Sequence, residues 1–215
     1  MSVICPTITA YTGDEYHRQM ERIAGFAERV HIDLTDGRFA NQQTVAPKDA
    51  WWPVGVKADF HIMYQDPTPA VRTIMEHKPN LVIIHAEAEG DFESLADHCH
   101  RYGVKVGVAL LPETDPSKIL PSLEWIDHVL IFSGNLGHQG GSHADLRLAS
   151  RAKLVREHKH NLEIGWDGGV NDQNVASLVS HGIDVINVGG YLQSAEQPEK
   201  TYTALARIAE ETGTT

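Results

Sequence analysis

The chain has 215 residues, is 41% hydrophobic and carries a formal net charge of −11. That length and composition suit one sizeable core, and a single domain over 1–215 is expected. The negative balance and the lack of a basic cluster argue against nucleic acid or an anionic membrane as the main partner, and no apolar run approaches the ~18 residues of a membrane span.

The first residues, "MSVICPTITAYTGDEY", lack the charged and apolar regions of a secretory signal. Cys5 and Cys99 form no CxxC pair and do not make a disulfide framework, so two buried thiols in a reducing cytoplasm are expected. Any anionic ligand must be held locally, by backbone N–H groups or a metal, against the overall field.

In chain order, short apolar runs alternate with amphipathic stretches. Strands are predicted at 3–9, 29–34, 54–63, 80–87, 104–110, 128–133, 162–167 and 184–189. These runs are β-branched and bounded by Gly, Pro, Asp or Asn, as buried parallel strands should be. Between them, "DEYHRQMERIAGFAER" places Tyr16, Met20, Ile23 and Phe26/Ala27 on one helical face. The stretches at 66–78, 91–103, 115–123, 142–159, 171–182 and 198–212 follow the same logic, several opening on Asp, Ser or Asn as N-caps. Eight β-then-α units predict a (βα)8 TIM barrel, of class α/β. The competing arrangement is an open doubly wound sheet, but a GxGxxG after the first strand is absent.

Three strands end in metal-competent side chains. Residues i and i+2 of a strand face the same way, so His31 and Asp33 point together. His61 closes the third run and Asp167 the seventh. At the carboxyl ends of barrel strands all four would meet at the mouth, where barrel enzymes keep their chemistry. One such His is more often hydrogen-bonded structure than ligand. Four metal-competent residues at matching ends of three strands point instead to one divalent metal ion, Zn, Fe, Mn or Co. His85 and Glu87 also share one strand face; a supporting role is expected for them, with metal ligation or closure of the barrel floor as alternatives.

Three glycine-rich loops follow the last strands: "SGNLGHQGG" (133–141), "DGGV" (167–170) and "VGGY" (188–191). Each Gly pair alone means a turn. In this order they predict a phosphate site, since barrel enzymes frequently bind phosphate after strands seven and eight. The first loop is long enough to act as a lid.

Together these blocks resemble the ribulose-phosphate 3-epimerase family of the ribulose-phosphate-binding barrels, over nearly the whole length. "PTIT" is similar to the family's Pro-Ser-Ile-Leu start, "HIDLTDGRF" to its His-x-Asp-x-Met-Asp-Gly-x-Phe block, and "DFHIM" to its Asp-x-His-Leu-Met block. "IIHAEA", "ALLPET" and "WDGGV" match further blocks. The resemblance implies metal ligands His31, Asp33, His61 and Asp167, with Asp33 and Asp167 also the catalytic acid/base pair. It implies a sugar phosphate bound by Thr7, His61, Met63, Gly137, His138, Gln139, Gly140, Gly168, Gly169, Gly189 and Gly190. The implied activity is inversion of C3 of a ketose phosphate, D-ribulose 5-phosphate to D-xylulose 5-phosphate. Epimerisation through an enediolate needs a proton removed on one face and returned on the other, which suits two carboxylates.

The chain departs from the family at Thr35, in place of Met, at Leu111, in place of Asn, and in the lid, here "LGHQGG". These changes are expected to alter the pocket wall and lid, and leave open a six-carbon ketose phosphate as substrate, or a non-catalytic sugar-phosphate-binding barrel. A metal-dependent decarboxylase or aldolase on the same barrel is a further alternative, the decarboxylase disfavoured because His61 stands where the related decarboxylases carry Lys. A homo-oligomer is expected, and Trp51 and Trp52 fit either an interface patch or barrel-edge packing.

Overall fold

The computed structural model describes residues 2–214. Eight parallel strands close into a barrel in the order β1 to β8, with β8 pairing back to β1. The strands are β1 Val3–Ile8, β2 Arg29–Thr35, β3 Lys57–Met63, β4 Leu81–His85, β5 Lys105–Leu110, β6 His128–Phe132, β7 Glu163–Asp167 and β8 Val185–Val188. The helices are α1 Gly13–Ile23, α2 Thr68–Met75, α3 Phe92–Arg101, α4 Arg151–His158, α5 Val175–Ser180, α6 Gly190–Gln193 and α7 Pro198–Gly213.

Period-two alternation explains which residues go where. On β2, Val30, Ile32 and Leu34 join the outer core under the helices, as Ala58, Phe60 and Ile62 do on β3 and Ile164 and Trp166 on β7. The intervening residues face the barrel axis. Read from floor to mouth they are Arg29, His31, Asp33 and Thr35 on β2, Asp59, His61 and Met63 on β3, and Glu163, Gly165 and Asp167 on β7. A small separate cluster of Leu81, Ile83, Ala109 and Leu130 supplies apolar filling.

The floor is ionic. Arg29 Nε donates to Asp59 at 2.5 Å, and its guanidinium forks onto both oxygens of Glu163 at 2.8 Å. Asn80 donates to Asp59 at 2.6 Å, and His128 Nδ1 lies 2.8 Å from Glu163. Gly165 is required here, because a Cβ would lie 2.5 Å from His128 Nε2. Floor closure thus belongs to these residues and not to His85 and Glu87, which lie at the opposite end.

Four elements differ from the sequence reading. The third strand starts at Lys57, after a turn through Gly55 (φ +91°). The 115–123 stretch is a 3-10 segment, Pro116–Trp125, because Pro121 inside it cannot donate to an α-helical ladder. A short helix, α6, follows β8 where only a loop was expected. Helix α1 ends before Phe26, which packs instead on Tyr202, with ring centroids 5.1 Å apart. Cys5 and Cys99 are buried and unpaired, as expected.

Burial raises the Glu163 carboxyl, but hydrogen bonds from Arg29 and His128 outweigh this and hold it well below the usual range. The native state therefore takes up a proton there later than the unfolded chain does. Its stabilisation is complete above the ordinary carboxylate pKa and is lost as pH falls below it. Glu163→Gln should lower stability by about 3 kcal/mol at pH 7, with a smaller deficit at pH 3.5, read from urea unfolding at both pH values.

Candidate active site

The β2–β3 ladder pairs Asp33 with His61, and β7 brings Asp167 from across β8 and β1. His31 Nε2 lies 3.2 Å from Asp33 Oδ1 and 3.9 Å from Asp167 Oδ2. His61 Nδ1 lies 3.0 Å from Asp33 Oδ1 and 3.8 Å from Asp167 Oδ2. One ligand atom from each of the four lies within 4.8 Å of the others. Both histidines are fully buried, and the carboxylates are nearly so.

The donor set fits a divalent cation. Neither ring nitrogen of His31 has a hydrogen-bond partner, despite the closeness of Asp33, so a buried nitrogen faces two carboxylates without a proton well aligned between them. Two imidazoles and two carboxylates at this spacing match borderline first-row ions.

The carboxylates differ in environment. Burial raises Asp33, but the adjacent imidazoles of His31 and His61 more than reverse this and hold it well below the usual range. Asp167 is pushed up, first by burial and then by the neighbouring Asp33 charge. Burial drives the His61 imidazole down to about 3, whereas His31 is raised, because Asp33 and Asp167 outweigh its burial.

Above this cluster a cavity of about 430 Å³ opens to the mouth. It is lined by Thr7, Asp33, Met63, Gly137, His138, Gln139, Gly140, Asp167, Gly168, Gly169, Gly189 and Gly190. Sequence reasoning therefore picked out much of its wall, while His31 and His61 lie outside the lining. The lining contains no Lys or Arg, so an anion there would meet backbone N–H groups and amides.

The glycines let three loops touch. Gly168 has φ +119°, and a Cβ on it would lie 2.3 Å from Gly134 N. A Cβ on Gly190 would lie 2.8 Å from Gly140 Cα. The 133–141 loop is tied to the end of β1: Gln139 Nε2 donates to the Thr7 carbonyl at 2.8 Å, and the Tyr11 hydroxyl to the Gly137 carbonyl at 2.9 Å.

Thr35 does not line the cavity. Its hydroxyl donates to the Gln42 carbonyl at 2.5 Å and accepts from Thr44 N at 3.1 Å, so it closes the β2 loop and does not shape the pocket wall. Leu111 lines the shallower mouth alongside.

Several residues were not singled out from sequence. Thr9 donates to Asp33 Oδ2 at 2.6 Å, leaving Oδ1 to face the imidazoles. Its i+2 relation to Thr7 was the available signal. Asn187 lies beside Asp167 in the β7–β8 ladder, with both amide atoms buried and without protein partners at the cavity wall.

The ribulose-phosphate 3 epimerase family model matches residues 3–193. The chain is 25% identical over 211 residues to a ribulose-phosphate 3-epimerase of Helicobacter pylori, covering 95% of this chain and 97% of that protein. It is 28% identical over 213 residues to that of Aquifex aeolicus, covering 93% of each. Among solved structures, 3-hexulose-6-phosphate synthase from Salmonella typhimurium superposes with a TM-score of 0.72 at 13% identity, covering 98% of this chain and 99% of that one. A 3-keto-L-gulonate-6-phosphate decarboxylase from Vibrio cholerae gives 0.73 at 9%, covering 98% of each; these two likenesses speak to the fold alone. Closed barrel and matched sequence together define an enzyme of the isomerase class on an α/β barrel. The chain belongs to the ribulose-phosphate 3 epimerase family. Among the described residues, no helix is long and apolar enough to cross a membrane.

Gly168→Ala should cost more than about 2 kcal/mol, through its backbone conformation and the overlap with the 133–134 backbone. Gly141→Ala, also left-handed at φ +73° but with nothing within 4 Å, should cost only about 1 kcal/mol. Urea unfolding midpoints of the two variants check the contrast.

Proposed function

We propose that residues 1–215 act as one barrel domain that inverts C3 of D-ribulose 5-phosphate to give D-xylulose 5-phosphate, with one divalent metal ion as cofactor. The observation that carries this reading is that Asp33 and Asp167, from strands separated by two others, reach the same few ångströms beside two buried imidazoles.

His31, Asp33, His61 and Asp167 would hold the ion, with Zn, Fe, Mn and Co all compatible with the set. Bound there, it would supply Lewis-acid stabilisation to the negative charge that develops on the enediolate. Asp33 and Asp167 divide the proton transfer: one carboxylate removes the C3 proton, and the other returns a proton to the opposite face. Thr9 fixes the rotamer of Asp33 through its hydroxyl. Thr7, Met63 and Asn187 bound the sugar. Gly168, Gly169, Gly189 and Gly190, with Gly137, His138, Gln139 and Gly140 of the lid, cradle the phosphate, so that binding far from C3 sets the register of the reacting carbon. The buried unpaired Cys5 and Cys99 support a reducing, cytoplasmic setting. Exposed Trp51 and Val54 on one loop support a homo-oligomer.

Metal-loaded protein incubated with D-ribulose 5-phosphate in D2O should place deuterium at C3 and accumulate xylulose 5-phosphate, followed by NMR. Asp33→Asn and Asp167→Asn should each lower turnover by at least about 10²-fold. Substrate and metal both bound, with no exchange at C3, would overturn the reading in favour of a binding barrel.

A further inference from the structure

Behind the four-residue cluster lies a line of polar groups that the proton transfer does not use. His61 turns Nδ1 toward Asp33 and Asp167, and its Nε2 lies 2.8 Å from Nε2 of His85. His85 Nδ1 lies 3.3 Å from Glu87 Oε2. The other oxygen of Glu87 accepts from the Thr114 hydroxyl and, at 3.4 Å, from Leu111 N. Phe39 and Phe132 pack on the His85 ring, with centroids 4.8 and 5.7 Å away, and both His61 and His85 are buried.

Two imidazole nitrogens 2.8 Å apart need one proton between them: two bare lone pairs or two N–H groups would repel. Glu87 decides which ring carries it. A carboxylate opposite His85 Nδ1 accepts a proton there and opposes a bare nitrogen. Burial raises Glu87, but hydrogen bonds from His85 and Thr114 outweigh this and hold it below its ordinary value, which keeps it an acceptor. Neutral His85 protonated on Nδ1 has a bare Nε2, so His61 must donate from Nε2. His61 then presents a bare Nδ1 beside Asp33 Oδ1. That arrangement is unfavourable in an empty site and favourable once a cation lies between them. The opposite ordering would put an N–H where the ion must bind.

We propose that His85 and Glu87 are positioning residues that keep the proton of His61 on Nε2 and so hold its Nδ1 lone pair ready for a cation. The inference rests on the metal reading of the four-residue cluster. It assigns no proton transfer to substrate and no change of charge, only the choice between two neutral tautomers. Partners of this kind behind metal-bound histidines commonly change metal affinity by about 10–100-fold.

The test is zinc affinity of the full chain, by competition with a chromophoric chelator, alongside imidazole 15N–1H long-range NMR of the zinc-loaded protein. Glu87→Leu and His85→Leu should each weaken zinc binding by about 10–100-fold. His85→Gln, whose side-chain oxygen can accept from His61 Nε2, should recover most of that loss; a purely space-filling role would not separate Gln from Leu in this way. NMR should show His61 protonated on Nε2 and His85 on Nδ1. If a Leu variant fails to fold, Thr114→Val and the wild-type NMR carry the decision, with a smaller loss expected for Thr114→Val. Zinc bound equally tightly by wild type and the folded variants, or His85 found protonated on Nε2, would overturn the relay while leaving the metal site standing. No zinc binding by wild type would overturn the metal reading, and the relay with it.

Discussion

The pairing of Asp33 with His61 across the β2–β3 ladder is the constraint on which the rest of the site depends. In a parallel ladder, residues at the same height face the same side, so this register sets a carboxylate and an imidazole side by side on the barrel axis. A slip of one residue would send Asp33 or His61 into the outer core and bring Leu34 or Ile62 into the mouth. The register is held from outside by the alternating apolar residues of both strands and from below by Arg29, whose guanidinium spans to Asp59 and Glu163. The ionic floor and the reactive mouth are therefore two ends of the same inward-facing rows on β2, β3 and β7.

The two ends treat charge differently. At the floor, a guanidinium lies between two carboxylates, and the buried charges are paired within the protein. At the mouth, two carboxylates face two imidazoles, and His31 has no well-aligned partner. That region is electron-rich and short of positive charge, as suits a cation. A few residues further out, the wall turns to glycine backbone and amides without Lys or Arg, which suits an anion held by N–H groups. On the proposed function, a chain of net charge −11 would hold a sugar phosphate without a basic patch, with attraction confined to one cavity.

Much of this was legible in the sequence. Short β-branched runs alternating with amphipathic segments predicted the barrel, and His31, Asp33, His61 and Asp167 stood out because polar side chains interrupted apolar runs at strand ends. The floor was hidden because Arg29, Asp59 and Glu163 occur near strand starts, where charged residues usually mean solvent; only barrel closure brings the three together. Thr9 was hidden because a threonine at the end of a strand has many bland uses, and its contact with Asp33 depends on β1 lying beside β2. The family resemblance makes Thr35 part of the pocket wall, but a local bond to the 42–44 loop takes its hydroxyl away. The 116–125 segment looked helical by its apolar spacing, and Pro121 shifted it to 3-10 geometry.

On the proposed function, His31, Asp33, His61 and Asp167 form one metal centre. Anomalous diffraction at the zinc edge, from crystals grown with stoichiometric zinc, tests it most directly. One dominant peak is expected within bonding distance of a ring nitrogen from each histidine and an oxygen from each aspartate, at about 2.0–2.2 Å. A clear peak at another group of residues, or no peak in this cluster at full zinc loading, would contradict it.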